Sequence, residues 1–374
     1  MKTIGIITIH KIYNYGSIFQ AFALQTVCNS LGYKTSIIDY IFPNAYHERT
    51  ESPNNIATGQ NEPKVIKALF IPALIRQHRA IQRFIKNYLS LSDKEYNSPQ
   101  ELHDTPPKFD IYLTGSDQLW SPTHCKGDPS FMLHFAPDSA KKISYAASIG
   151  TDVIPDYLKN RYKKLLSRYS AISVREESAC RPIEKLINLK PKVVLDPTLL
   201  LDKNYWNSLA VPQRIIKDKY ILCYFLNYSF DAFPYADIIA KEVQRQTGYK
   251  IIKVARPPHK LTFNNIRYNI GASPEEFLAL VRDAEIILTT SFHGTAFAIN
   301  FGRPVFSIVK SKNNSDNRQS NLLMKLNLEK NIIPVSAPLH SVTDAIYDNK
   351  IVESKLSSLR EQSISFLKEA LADI

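Results

Sequence analysis

His293 is the residue of this chain best suited to move a proton. It stands in TTSFHGTAFAINFG, where the β-branched run EIILTT predicts a strand and the residues after it predict a helix that begins near Gly294. Backbone N–H groups at a helix start have no internal acceptor and face the positive end of the helix dipole, so they welcome an anion. Gly294 lets backbone approach a ligand closely. Together with Ser291, Phe292 and Thr295 it would cradle a phosphate or carboxylate within reach of the imidazole. A histidine placed there could equally do no more than cap the helix through local hydrogen bonds.

Three other loops carry polar residues where a strand gives way to a helix. In SVREESA (173–179), Arg175 follows Ile172 and Val174, so its planar guanidinium sits at a strand's carboxyl end and can clasp phosphate or carboxylate through two parallel bonds. A salt bridge to Glu176, Glu177 or Asp196 is the alternative. The first loop, YNYGS (13–17), offers Asn14, Gly16 and Ser17 to an anion and Tyr15 to an acceptor, or Ser17 simply as an N-cap. Its lone glycine falls well short of GxGxxG, so a dinucleotide site is not supported. TGSDQLW (114–120) sets the carboxylate of Asp117 beside the amide of Gln118 and the indole of Trp120. That trio suits a sugar, whose hydroxyls need acceptors and whose ring face needs an aromatic, although Asp117 could also be a turn residue making an Asx bond. There is no P-loop, HExxH, GxSxG elbow or DxD pair.

These loops need a scaffold that brings strand ends together. TIGIITI (3–9), SIFQAFALQTVCNSLG (17–32) and TSIIDY (35–40) read as strand, helix, strand, a unit that implies parallel pairing. Residues 42–65 are polar and rich in Pro, Asn and Glu, which predicts an irregular excursion. Helical periodicity returns over 64–91, with Arg76, Arg79, Arg83 and Lys86 on a surface or lid helix. The second half repeats the alternation: strands at 220–229, 249–255 and 285–289, a helix at 235–247, and another at 273–284 with Ser273 as N-cap and Glu276 completing a capping box. The fold class is therefore α/β, with two Rossmann-like doubly wound parallel-sheet domains facing across a cleft. Their bounds are set at 1–205, with the excursion at about 42–105, and at 206–345; a C-terminal amphipathic helix at 346–374 can pack back on the first domain.

Composition narrows the classes. The chain has 374 residues, 44% apolar and 22% charged, which suits two ordinary globular domains and excludes disordered and fibrous classes. No run of 18 apolar residues and no secretory leader is visible, and the four cysteines (28, 125, 180 and 223) lack CxxC spacing, as expected of reduced cytoplasmic thiols. A net charge of +12 favours anionic partners, but the basic residues are scattered and no nucleic-acid motif appears, so nucleic acid is not expected.

Six segments in order, IGIITIHKIYNYGSIFQAFALQ, FDIYLTGSDQLW, ISYAASIG, ISVREESA, VVLDPTLL and ILTTSFHGTAFAINFGRPV, resemble the polysaccharide pyruvyl transferase family from the N-terminus to roughly residue 330. The resemblance implies a GT-B-like fold. It also implies transfer of the enolpyruvyl moiety of phosphoenolpyruvate, the co-substrate, to two hydroxyls of a sugar or lipid-linked oligosaccharide, with no metal and no other cofactor. By the same likeness His293 is the general acid and Arg175 holds the donor; the chemistry, which also wants a base near the sugar hydroxyl, assigns Asp117 as an acceptor contact or base. A characterised relative has arginine where this chain has Ser291, so one cation is either missing or supplied by Arg256, Arg303 or Arg318. A cytoplasmic enzyme touching an anionic inner-membrane face fits the basic charge. A nucleotide-sugar glycosyltransferase and a catalytically silent glycan-binding protein are the competing readings.

Overall fold

The computed structural model describes residues 1–42, 63–227, 230–258, 260–261, 266–311 and 318–372. Most of the irregular excursion read at 42–65 lies outside them. The first sheet has seven parallel strands: β1 (Thr3–Ile7), β2 (Lys34–Tyr40), β3 (Leu91–Tyr96), β4 (Ile111–Thr114), β5 (Lys141–Ala147), β6 (Ala171–Val174) and β7 (Lys192–Val193). Their order across the sheet is β3-β2-β1-β4-β5-β6-β7. The second has six: β8 (Tyr220–Tyr224), β9 (Lys250–Val254), β10 (Ile266–Asn269), β11 (Ile286–Thr289), β12 (Val305–Val309) and β13 (Ile332–Pro334), in the order β10-β9-β8-β11-β12-β13. All of these strand pairs are parallel. The fold class is thus α/β with two doubly wound sheets, as the alternation of elements predicts.

Each sheet reverses its winding beside its first strand, between β1 and β4 and between β8 and β11. Parallel strands point their carboxyl ends the same way, and at such a reversal the outgoing loops part to leave a crevice. Ile4, Ile6 and Ile7 of β1 are fully buried, which explains the unbroken apolar run. The edge strands are harder to read. LSDKEY (β3) and IRYN (β10) each pair on one side only and need no apolar run, and β3 ends a region whose periodicity reads as helix to residue 91. The helix there is two pieces, Lys64–Leu69 and Ile71–Tyr88.

The helix Tyr15–Ser30 is buried along most of its length and knits the two lobes. Phe19 meets Trp206 at 5.3 Å and Phe297 at 5.2 Å edge to face, and Tyr15 stacks on Phe277 at 4.4 Å between ring centroids. One apolar cluster therefore runs from the first sheet through these rings into the second. Each buried aromatic contributes on the order of 2–3 kcal/mol. The helix Pro274–Asp283 starts with the capping box of Ser273 and Glu276. The final helix, Asn349–Leu371, returns to the first lobe, where Ser363 Oγ accepts from Leu195 N at 2.9 Å and Arg360 Nε donates to Leu199 O at 2.8 Å. Among the described residues no helix is long and apolar enough to cross a membrane.

Candidate active site

A pocket opens between the lobes at the two sheet reversals. Asn14, Asp117 and Gln118 line it from the first lobe, and Ser291, Phe292 and His293 from the second, with Lys310 and Arg318 beside them.

The second-lobe wall is built by hydroxyls. Thr289 Oγ1 donates to Tyr224 O at 2.8 Å and accepts from Ser291 N at 3.0 Å, while Thr290 Oγ1 donates to Leu226 O at 2.8 Å. The ends of β8 and β11 are locked together in this way. Ser291 is the N-cap, so the helix runs Phe292–Asn300 and begins two residues earlier than the sequence suggests. The amides expected to cradle an anion are already engaged: Gly294 N donates to Ser291 Oγ and Thr295 N to Ser291 O. The first-turn donors left without an intrahelical acceptor are those of Phe292 and His293. Gly294 serves close contact of helix on strand rather than ligand approach, since a Cβ there would stand 2.3 Å from Thr289 Oγ1 and 2.8 Å from the Tyr224 ring.

In the first-lobe loop Asn14, not Ser17, caps the helix, its Oδ1 accepting from Gly16 N at 2.9 Å. Ser17 Oγ donates instead to Asp117 Oδ2 at 2.8 Å. Gly16 meets the imidazole of the opposite lobe so closely that a Cβ would lie 2.1 Å from His293 Nδ1. Tyr15 does not face the cleft, contrary to the acceptor contact expected of it. Its hydroxyl donates to Ala272 O at 2.6 Å and accepts from Gln77 Nε2 at 2.7 Å, which makes it a strut between lobes, and burial pushes its phenol far above the ordinary range.

Asp117 sits in the left-handed region with φ +86°, which aspartate tolerates better than most side chains. Its carbonyl accepts from Ser148 N at 2.9 Å beside a bulge in β5, and Gln118 lies across Gly150, where a Cβ would fall 2.3 Å from its Nε2. The same loop turns Trp120 inward, so it cannot stack on a sugar. Its ring is fully buried and its indole N–H donates to Phe131 O at 2.9 Å.

Arg175 lies one layer beneath the pocket. Nη1 donates to Asp196 Oδ2 at 3.0 Å, Nη2 stands 3.8 Å from Asp117 Oδ1, and the Phe292 ring covers the guanidinium at 4.5 Å. The side chain is 1% exposed, and its Nε and Nη2 make no hydrogen bond. It therefore does not line the pocket directly, and the ion pair to Asp196 is present. Asp196 is the residue that sequence reasoning undervalued. Its Oδ1 accepts from Thr198 N and Oγ1 at 3.0 and 2.7 Å, its Oδ2 accepts from Ser116 Oγ at 2.8 Å, and His293 Nε2 stands 3.6 Å from that oxygen. Burial opposes its ionisation, but His293, Arg175 and the Thr198 N–H outweigh it and hold the carboxyl far below its usual range. Asp117 is held low as well: burial is outweighed by Arg175, then His293 and the Ser17 hydroxyl. Glu176 differs. Its Oε1 accepts from Ser148 Oγ, Ile149 N and Gly150 N, yet burial raises its carboxyl above the usual value. Of the three arginines that could supply a further cation, Arg318 lines the pocket, Arg256 lines a separate recess beside Lys253 and Asp237, and Arg303 lies near Tyr347 at the far end of the second sheet.

Two doubly wound lobes whose reversal-point loops converge on one polar cleft define a two-lobed α/β protein, with the cleft at the place where such sheets offer a ligand site. Residues 14–311 match the model of the polysaccharide pyruvyl transferase family, and the chain belongs to that family, whose members are transferases acting on polysaccharide. No curated protein matches it. Among solved structures it is similar to UGT89C1 of Arabidopsis thaliana complexed with UDP-L-rhamnose, at 11% identity over 99% of each chain and a TM-score of 0.49. It is also similar to the UDP-GlcNAc 2-epimerase of Methanocaldococcus jannaschii (14% identity over 96% of this chain and 92% of that one, TM-score 0.47). A third is the ADP-heptose lps heptosyltransferase II of E. coli (11% identity, 97% and 99% covered, TM-score 0.40).

Proposed function

We propose that the protein transfers the pyruvyl group of phosphoenolpyruvate to two hydroxyls of a sugar in a surface polysaccharide or its lipid-linked precursor. The product is a cyclic pyruvate ketal, and phosphate is released. The observation that supports this most is His293 in the pocket wall, at a helix start, with Asp196 at 3.6 Å behind its Nε2 and cationic side chains beside it.

The donor is a small ligand with a phosphate and a carboxylate, and fixed donors in a secluded cleft stabilise such charge better than water does. The Phe292 and His293 amides, Arg318 and Lys310 meet the anion, while Arg175 adds positive charge from below. His293 protonates the methylene carbon, generating an oxocarbenium-like centre that a sugar hydroxyl attacks. The C–O bond to phosphate then breaks, and a second hydroxyl closes the ring. One of the two hydroxyl protons returns to His293 and the other leaves with phosphate. Asp196 steadies the imidazolium. Asp117, with its lowered pKa, is a weak base in the resting site and acts chiefly as an acceptor that orients a sugar hydroxyl, beside Gln118 and Asn14. The reaction takes place on the cytoplasmic side, where an acceptor on a lipid diphosphate lies against an anionic membrane face.

Titration calorimetry with phosphoenolpyruvate, paired with a phosphate-release assay on lipid-linked glycans, tests this reading. The parent protein should bind the donor, His293→Ala should lose roughly 10²–10⁴-fold in turnover, and Arg175→Ala should weaken donor affinity. Undetectable affinity in the parent, or equal affinity in all three proteins, would rule out the assignment.

A further inference from the structure

The helical pair Lys64–Leu69 and Ile71–Tyr88 carries a surface that the transfer chemistry leaves unused. Between Lys64 and Ser90 there are six basic residues, Lys64, Lys67, Arg76, Arg79, Arg83 and Lys86, and no Asp or Glu. The longer helix turns Gln77, Ile81, Phe84 and Ile85 inward. Helical spacing then places Ile71, Ile75, Arg79 and Arg83 along the opposite stripe. Four aliphatic side chains stand in water beside these cations: Val65 is 74% exposed, Leu69 62%, Ile71 50% and Ile75 45%. Arg76 is engaged with Glu276 at 2.6 Å, while Lys64, Arg79, Arg83 and Lys86 are exposed and Lys67 is half-buried.

We propose that this face docks on an anionic lipid bilayer, with the aliphatic end entering the headgroup boundary and the basic end meeting lipid phosphates. A soluble polyanion would need the cations alone, and clustered aliphatics beside them are what an interfacial helix presents. The location supports the purpose. His78 lies edge-on to Tyr13 at 4.9 Å, Gln77 donates to the Tyr15 hydroxyl, and Arg76 Nη1 donates to Gly271 O, so the helix runs beside the cleft loop and bridges to the second lobe. A bilayer held here lies close to the cleft mouth, where a lipid-carried sugar can enter. The inference rests on the proposed function for that purpose alone, since the docking itself needs no donor.

Co-sedimentation of the full chain with vesicles of phosphatidylcholine, with and without phosphatidylglycerol, provides the test. Binding should need phosphatidylglycerol and weaken with salt. Arg79→Ser with Arg83→Ser should lower the apparent affinity by roughly tenfold or more. Ile71→Ser with Ile75→Ser should lower it too, and Lys163→Ser with Lys164→Ser, on an exposed helix elsewhere, should not. All variants should melt with the parent and bind phosphoenolpyruvate alike. No binding to phosphatidylglycerol vesicles overturns the proposal, as does an equal loss in the Lys163 and Lys164 variant. Binding to dextran sulfate of equal strength, indifferent to the Ile71 and Ile75 changes, would assign the face to a soluble polyanion instead. If phosphoenolpyruvate fails to bind while this vesicle pattern holds, the transfer reading falls and the docking face stands.

Discussion

Gly16 and His293, on opposite lobes, touch with no room for a methyl group between them: an added Cβ would stand 2.1 Å from the imidazole Nδ1. The glycine of the first loop thus sets the position of the imidazole of the second. Gly16→Ala must push the ring or part the lobes. A displacement of about 1 Å at a reacting group costs on the order of 10²-fold in rate, and overpacking costs about 1–3 kcal/mol in stability. Phosphate release should collapse while the melting transition stays cooperative. Unchanged turnover would show that His293 is not held by this contact.

Asp196 is a buried anion flanked by Arg175 and His293, so its removal strips Arg175 of its hydrogen-bonded carboxylate and leaves only Asp117, at 3.8 Å, to answer it. Asp196→Asn should cost about 3–5 kcal/mol, read by urea unfolding. Its pH signature has a definite sign. The carboxyls of Asp196 and Asp117 are both held below their ordinary 3.8 in the folded state, so the unfolded chain binds more protons as acid is added. The stability they confer is present above that value and is lost as pH falls through the folded pKa. Asp196→Asn, and to a smaller degree Asp117→Asn, should flatten the acid limb of a stability-against-pH curve. An acid limb as steep as the parent's in both variants contradicts the assignment.

Arg318 supplies charge in the pocket where Ser291 has none. Arg318→Ala should weaken phosphoenolpyruvate binding by roughly tenfold or more, the scale of a lost hydrogen bond to a charged group, and should reduce the salt dependence of binding. Calorimetry at two ionic strengths measures both. Parent-like affinity at each would remove Arg318 from the donor site.

Trp120 separates a core role from a sugar-stacking one. Trp120→Phe loses the indole bond to Phe131 O and leaves a gap, so the melting temperature should drop, with a cost of about 1–3 kcal/mol. The Michaelis constant for the acceptor should hold. A raised Michaelis constant with unchanged melting would restore the residue to the acceptor site.

Local signals made much of this legible from sequence. The apolar runs of β1, β8 and β11 mark strands buried on both faces, and Ser273 with Glu276 fixes a helix start unaided. His293 stands out because a strand, a polar turn and a helix meet within a few residues. What failed depended on partners distant in the chain. The burial of Trp120 is decided by residues 129–135 and by Tyr169, which fold over its loop. Tyr15 reads as a cleft aromatic until the stacked Phe277 and the Ala272 carbonyl arrive from the second lobe. Asp196 lies among apolar residues in VVLDPTLL, and only the tertiary fold shows that it meets the Arg175 guanidinium of its own lobe and the His293 imidazole of the other. Polar edge strands such as β3 leave no run to find.

The aromatic cluster that spans Phe19, Trp206, Phe277 and Phe297 bears on how freely the two lobes can move against each other. Lobes joined by a broad apolar seam resist swinging apart, unlike lobes tied by a thin strap. Prising the lobes apart would therefore bring these rings into water, so the two halves of the cleft keep a fixed separation and the Phe292 ring stays closed over Arg175.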